Sequence, residues 1–408
     1  MGRCHMVLIP GFAGFDMLGQ LEYYAGVTEL RPRDAALHYF DNFPTATVTT
    51  RATRLQKYLI KRVLRGEFGT HDRIALIGHS TGGLDIRQLI WNLSQDALSE
   101  SSSRCSFDGL ETPKQRISSQ LLRMIQRVVF LSVPQWGTNI ANWVKSNDYL
   151  RPVVLGGLRA AVAGSQVPLL NCLEDYVTTF IADHEQPDIL FAIRDALHEA
   201  EPVEGGKGES GAMAQEAASE LCLWLRHMAS DFSVIDDLTV WNRRHERERR
   251  PVSPAHFGSA LRAQEQEYWH DRKIRTRSYA TIGPVPEPAH SDLLYSLFYR
   301  ACATGPFQYP GGHNIPQPKP FAGTRADPIT VSDNDGIVNT ASMLWPDENR
   351  TVLVECDHMD IVGHYEHVPT TNGAGRKYQA YDLLRSLSGF NRNTFTRVWN
   401  EVFDFADN

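Results

Sequence analysis

Arg73-Ile74-Ala75-Leu76-Ile77-Gly78-His79-Ser80-Thr81-Gly82-Gly83 decides the reading of the chain. Its first five residues form a short apolar run, the mark of a strand buried on both faces of a sheet. After Thr81, residues Ile86, Leu89, Ile90 and Leu93 recur at helical spacing. Between strand and helix lies Gly78-x-Ser80-x-Gly82. A bare Gly-x-Ser-x-Gly should occur by chance in roughly one chain in seven of this length, so the flanking elements carry the signal. A serine on so sharp a turn has its hydroxyl lifted above the sheet, and glycines at 78 and 82 keep side chains out of the crowded backbone. The plainer alternative is a Gly-rich helix start that Ser80 merely caps.

Outward from this turn, residues 5–9 read as a strand running into Pro10-Gly11-Phe12-Ala13-Gly14, and residues 36–40 as another. Residues 51–66 read as an amphipathic helix with Leu55, Leu59, Ile60, Val63 and Leu64 on one face. Residues 96–116 are Ser-rich and polar and read as a surface loop, and residues 127–133 as the next buried strand. This alternation predicts a mostly parallel sheet with helices on both faces. The rhythm breaks between 140 and 275. There, 150–182 is apolar and helix-like, 203–211 reads as a linker, 212–229 as a helix carrying Leu221, Trp224, Leu225 and Met228, and 243–250 as a charged run. Strands return at 278–282 and 351–355, and a helix near 393–405 closes the chain. The expected organisation is an α/β core of residues 1–139 and 276–408, with a helical lid or cap inserted at 140–275. The 284–334 stretch is rich in proline and glycine.

The 408 residues are 42% apolar and 22% charged, with net charge −7, as in an ordinary globular protein. That balance supplies no basic patch for nucleic acid or an anionic membrane. No stretch approaches the roughly 18 apolar residues that would cross a bilayer. The N-terminus reads as a core strand rather than a signal peptide. The expectation is a cytoplasmic protein or, alternatively, a secreted one whose leader is absent from this sequence. The six cysteines lie in no C-x-x-C pair and at no zinc-ligand spacing. Scattered free thiols are the reading taken, although three disulfides are arithmetically possible.

A serine is a poor nucleophile without an adjacent base. On a sheet of this kind the chain order is serine, acid, histidine. His358 follows the last strand and is the candidate base, with His364 and His367 as rivals. The acid is sought in Ser332-Asp333-Asn334-Asp335-Gly336. Asp335, at the boundary with apolar Ile337-Val338, is better placed than Asp333 to hold an imidazole, though Asp-Gly is also an ordinary turn pair. An oxyanion would need two donors, for which the N–H groups of Thr81 and Phe12 are the candidates.

Taken together, these pieces resemble the bacterial lipases of the Staphylococcus and Geobacillus type. The resemblance is carried by Gly11-Phe12-Ala13-Gly14, by Met17-Leu18-Gly19 with Tyr23-Tyr24-Ala25-Gly26-Val27, and by Gly78-His79-Ser80-Thr81-Gly82-Gly83. Further on it is carried by Asp237-Leu238-Thr239, by Asn334-Asp335-Gly336-Ile337-Val338-Asn339-Thr340 with Ser342-Met343, and by Asp357-His358 with Met359-Asp360-Ile361-Val362-Gly363. It implies an α/β-hydrolase fold, a triad of Ser80, Asp335 and His358, an oxyanion hole of Phe12 and Thr81, and a mobile lid over an acyl pocket. The chain departs from the family at Pro10, where a histidine is usual, and at Gln135-Trp136. The family's structural zinc site has no visible counterpart, and only Asp360 matches its calcium site, so no metal or cofactor is expected. The expected activity is hydrolysis of apolar acyl esters, from a small molecule or a lipid, through an acyl-enzyme. The alternatives are an acyltransferase, lactonase or amidase using the same triad, or a binding protein on the same fold.

Overall fold

The computed structural model describes residues 2–14, 17–18, 21–32, 34–98, 113–146, 231–242, 253–287, 293–312, 314–323, 327–366, 368–371 and 377–408. The apolar block 150–182, the linker 203–211, the helix 212–229, the charged run 243–250, His367, Cys105, Cys172 and Cys222 lie outside them.

Seven strands form one sheet: β1 (Cys4–Ile9), β4 (Ala36–Tyr39), β5 (Arg73–His79), β6 (Ile125–Leu131), β7 (Arg275–Ile282), β8 (Lys319–Pro320) and β9 (Thr351–Glu355). Two antiparallel pairs stand apart, β2 (Met17–Leu18) with β3 (Leu21–Glu22), and β10 (Val368–Thr371) with β11 (Lys377–Ala380). The spatial order of the sheet is β4-β1-β5-β6-β7-β9-β8, and every neighbouring pair is parallel. The chain moves outward from β1 to β4 and then returns past β1 to β5. A reversal of strand order opens a crevice outside the carboxyl ends of the two strands that flank it. Those ends carry Pro10–Gly14 and Ser80. Register brings them level, since Ile9 pairs with Gly78.

Side chains alternate across the strands. Val7, Ile9, Ile74 and Leu76 face one core. It is closed by α2 (Val48–Leu64), α3 (Thr81–Leu98), α4 (Pro113–Met124) and α7 (Ser259–Asp271). Met6, Leu8, Ala75 and Ile77 face the other, where the C-terminal helix α9 (Arg392–Asp407) lays down Phe395, Val398, Trp399, Val402 and Phe403. Burying each such large side chain contributes about 1.5–3 kcal/mol before entropy is counted.

The helix read at 51–66 starts three residues earlier, because Thr47 caps it by accepting from Thr50 N–H. Residues 113–116, read as the end of a polar loop, begin α4 instead. Pro113 suits a first helical position, where its missing N–H costs nothing.

The described parts of the 140–275 block pack on the core. They include α5 (Asn139–Ser146), α6 (Val234–Asp237) and α7, while α1 (Val27–Leu30) precedes β4 and α8 (Leu293–Thr304) follows β7. Val234 N–H donates to Thr45 O, Thr138 N–H to Leu238 O, and Val48 N–H to the Asp237 carboxylate. Helix α3 is held by two buried ion pairs that leave it from different sides. Asp85 meets Arg51 of α2, and Arg87 meets Glu265 of α7. Cys4, Cys302 and Cys356 are free and buried. No helix among the described residues is long and apolar enough to cross a membrane.

Candidate active site

Ser80 is the single residue between β5 and α3 and has φ 52°, in the left-handed region. A non-glycine residue held there stores strain of order 1–3 kcal/mol, which the surrounding structure must enforce. It does so from both sides: Ser80 N–H donates to Leu131 O at 2.9 Å, and Ser80 O accepts from Gly83 N–H at 3.0 Å. Gly82 is demanded by close approach, since a Cβ there would lie 2.3 Å from Ile9 O.

Asp335 and His358 are joined. His358 Nδ1 lies 2.8 Å from Asp335 Oδ2, both side chains being buried. Because a carboxylate only accepts, Nδ1 carries the proton and Nε2 is left as the basic nitrogen. The carboxylate is fixed by further donors. Oδ1 accepts from the N–H groups of Ile337 and Val338 at 3.0 and 2.8 Å, and Oδ2 accepts from Thr281 Oγ1 at 2.6 Å. Thr281 Oγ1 in turn lies 2.9 Å from Ser132 Oγ. Main-chain bonding adds to this, His358 N–H donating to Asp335 O at 3.0 Å.

The residue next to Ser80 makes contact with this pair. The imidazole of His79 stands 4.7 Å from that of His358, centroid to centroid, and its Nε2 donates to His358 O at 2.9 Å. Its Nδ1 receives the Tyr23 hydroxyl at 2.7 Å, and that hydroxyl accepts from Gly11 N–H at 2.9 Å. Burial, then the neighbouring His358, holds the His79 pKa well below the ordinary imidazole range. His79 therefore stays neutral, with one nitrogen accepting and the other donating. Among the described residues no hydrogen bond joins Ser80 Oγ to His358; catalytic hydrogen bonds of this kind commonly tighten only with substrate in place.

The loop bearing Phe12 runs against the serine. A Cβ on Gly11 would lie 2.5 Å from the Ser80 Cβ. Gly11 N–H is engaged by Tyr23 and Ala13 N–H by Pro44 O. Among the described residues, the N–H groups of Phe12 and Thr81 have no acceptor. They are also the two that the sequence puts forward as oxyanion donors.

The rivals fall elsewhere. The Asp333 carboxylate accepts from Thr330 N–H and Oγ1 at 2.7 and 3.0 Å and shapes its own loop. His364 Nε2 lies 3.2 Å from Tyr23 O, and burial lowers its pKa to about 4. Tyr23, His79, Thr281, Ser132 and Arg51 were not assigned a role from sequence. The only signal for two of them was position, His79 beside the serine and Tyr23 in a conspicuous aromatic pair.

Asp357, Asp360 and Asp382 each bring one carboxylate oxygen within 4.8 Å of the others, an arrangement that could hold a cation. Protein donors already meet much of this oxygen. Asp357 accepts from Met359 N–H, Asp360 N–H and Ser386 Oγ, and Asp360 from Asp357 N–H and Ser388 Oγ. Burial raises the Asp357 pKa to about 6 and that of Asp360 well above the carboxylate range, which weakens both as ligands at mildly acidic pH.

The parallel sheet, its strand reversal and the serine on its strand-to-helix turn define an α/β-hydrolase fold. No protein-family model matches the sequence, and no curated protein matches it. Among solved structures the chain is similar to a Staphylococcus hyicus lipase, at 13% identity and TM-score 0.44, covering 99% of this chain and 95% of that one. It is similar also to lipase 1 from Pelosinus fermentans, at 14% identity and TM-score 0.43, covering 98% and 99%. EstA from Clostridium botulinum is a third, at 14% identity and TM-score 0.42, covering 89% and 83%.

Proposed function

We propose that this protein is a serine hydrolase that cleaves carboxylic esters through an acyl-enzyme. Ser80 Oγ attacks the ester carbonyl. His358 Nε2 takes the hydroxyl proton and delivers it to the leaving alkoxide, which departs as the alcohol. Asp335 holds the His358 Nδ1–H and stabilises the imidazolium that forms between those two steps. Water, deprotonated by the same nitrogen, then releases the acid and restores Ser80. The tetrahedral oxyanion of each half-reaction is received by the N–H groups of Phe12 and Thr81. Loss of one such donor typically costs 10²–10³ in kcat.

The observation that carries this reading is the convergence of a strained serine with a carboxylate-bound histidine. Ser80 sits at φ 52°, and its neighbour His79 holds the main chain of the histidine whose Nδ1 lies 2.8 Å from Asp335. The acyl group is proposed to be apolar, since the described flanks of the insertion bring aromatic surface to the loop of Phe12. The Phe232 ring packs edge-on against that of Phe12 at 5.5 Å.

The test is hydrolysis of p-nitrophenyl esters from short to long acyl chains, wild type beside Ser80→Ala. Turnover that disappears in the variant supports the reading, and the preferred chain length defines the substrate class. An ester-hydrolysing wild type matched by an equally active Ser80→Ala would reject Ser80 as nucleophile.

A further inference from the structure

The peptides on either side of Gly11 are both held by their carbonyl oxygens. Arg51, in the first turn of α2, is fully buried. Its Nη2 donates to Pro10 O at 2.8 Å and to Gly11 O at 3.0 Å. Its Nη1 donates to Phe43 O at 2.6 Å and Pro44 O at 3.2 Å. Its Nε lies 3.1 and 3.0 Å from the two carboxylate oxygens of Asp85, which also accepts from Asn42 Nδ2 at 3.1 Å. One guanidinium thus gathers four main-chain carbonyls from two loops and a carboxylate from the nucleophile helix.

In a trans peptide the carbonyl oxygen and the following N–H point in opposite directions. With Pro10 O on Arg51, the Gly11 N–H must face away from it, and there it meets the Tyr23 hydroxyl. With Gly11 O also on Arg51, the Phe12 N–H is turned away in the same manner. The side opposite Arg51 is the side of the serine, because a Cβ on Gly11 would meet the Ser80 Cβ at 2.5 Å and the Tyr23 hydroxyl at 2.8 Å. Asp85 follows Thr81 by one helical turn. The Arg51–Asp85 pair therefore joins the loop that carries one candidate oxyanion donor to the helix that carries the other.

We propose that Arg51 is the positioning residue of the oxyanion site. Its planar fork, anchored on Asp85, fixes the Gly11–Phe12 peptide so that the Phe12 N–H faces the developing oxyanion at a set distance from the Thr81 N–H. A lysine could satisfy the charge of Asp85 but not this geometry, since an ammonium offers a point charge in place of a fork. The assignment rests on the ester-hydrolase reading above.

The test is Arg51→Lys. Active sites are first counted by titrating Ser80 to completion with a fluorophosphonate, and kcat for a p-nitrophenyl ester is then expressed per labelled serine. We expect kcat about 10²-fold below wild type with KM changed by less than about twofold. Inhibition by a boronic acid, which forms a tetrahedral adduct at the serine, should weaken in the same proportion. A merely structural role would lower the labelled fraction and leave both kcat per labelled serine and boronic-acid affinity unchanged, and that result would overturn the assignment. If Arg51→Lys does not fold, Arg51→Met combined with Asp85→Asn strands no buried charge and carries the same expectation. A wild type that neither turns over esters nor takes the label on Ser80 would remove the hydrolase reading, and this assignment with it. An active wild type beside an unaltered variant would remove this assignment alone.

Discussion

His79 Nε2 donates a hydrogen bond to the main-chain oxygen of His358 at 2.9 Å, across 279 residues of sequence. The residue beside the candidate nucleophile thereby holds the backbone of the candidate base. The same ring reaches the Tyr23 hydroxyl, and through it the Gly11 N–H of the loop that presents Phe12. One neutral imidazole links the three parts that the proposed acyl transfer would need held in register, where a misplacement of about 1 Å can cost 10²-fold.

Tyr23→Phe breaks that link at its centre. It leaves His79 Nδ1 and Gly11 N–H without this partner in a buried setting, at a cost of about 1–3 kcal/mol. Urea unfolding should show that loss, and ester turnover should fall with it in kcat more than in KM. Unchanged stability and unchanged kcat would show that the hydroxyl is not a bridge.

Asp335→Asn should leave the fold intact, because an amide oxygen can still accept from the Ile337 and Val338 N–H groups. It should nevertheless stabilise the wrong His358 tautomer and reduce kcat by about 10⁴. Circular dichroism beside steady-state kinetics checks both halves. A loss below about tenfold would point away from Asp335 as the partner of the base.

The fold was legible because its strands are short apolar runs separated by amphipathic helices, a pattern set by burial on both faces. Ser80, Asp335 and His358 are candidates by their positions relative to those strands, the family resemblance alone choosing His358 over its rivals, and Asp335–His358 contact is seen in the structure. What sequence could not supply was pairing at long range. Arg51 and Asp85 look like solvated charges on helical patterns, and only the close approach of α2 to α3 makes them a buried pair. Thr281 and Ser132 are ordinary strand-end hydroxyls until β6 and β7 align them under Asp335. Helix α7 was missed because its face carries Glu265 inward, toward Arg87, where an apolar residue would have marked it.

Asp237 should make stability depend on pH. Its Oδ2 accepts from Val48 N–H at 2.7 Å, and burial raises its pKa to about 7. The folded protein then keeps a proton that the unfolded chain releases near the ordinary aspartate value of about 3.9. Between those values the folded state binds more protons, so this group's contribution falls as pH rises, by up to about 1.4 kcal/mol per pH unit. Asp237→Asn cannot lose a proton. Its Tm relative to wild type should therefore rise between about pH 5 and pH 8, and a flat difference would refute the assignment.

Glu265→Ala should destabilise strongly. Glu265 receives Arg87 Nε and Nη2 at 2.9 and 2.6 Å in a site almost closed to water. Removing one partner strands a buried guanidinium, at about 3–5 kcal/mol. Replacing both, with Arg87→Met and Glu265→Gln, should recover most of that loss in the urea midpoint. A single variant as stable as wild type would mean that the pair does not secure α3.

The most direct test of the central claim is to trap the acyl group. Wild-type protein is mixed with a p-nitrophenyl ester, quenched in acid during the first turnover, digested and analysed by mass spectrometry. The account predicts that the peptide containing Ser80 gains the mass of the acyl group, that the gain maps to Ser80, and that Asp335→Asn forms it far more slowly. Ester turnover with no acyl adduct on Ser80 at any quench time, undiminished in Ser80→Ala, would contradict it.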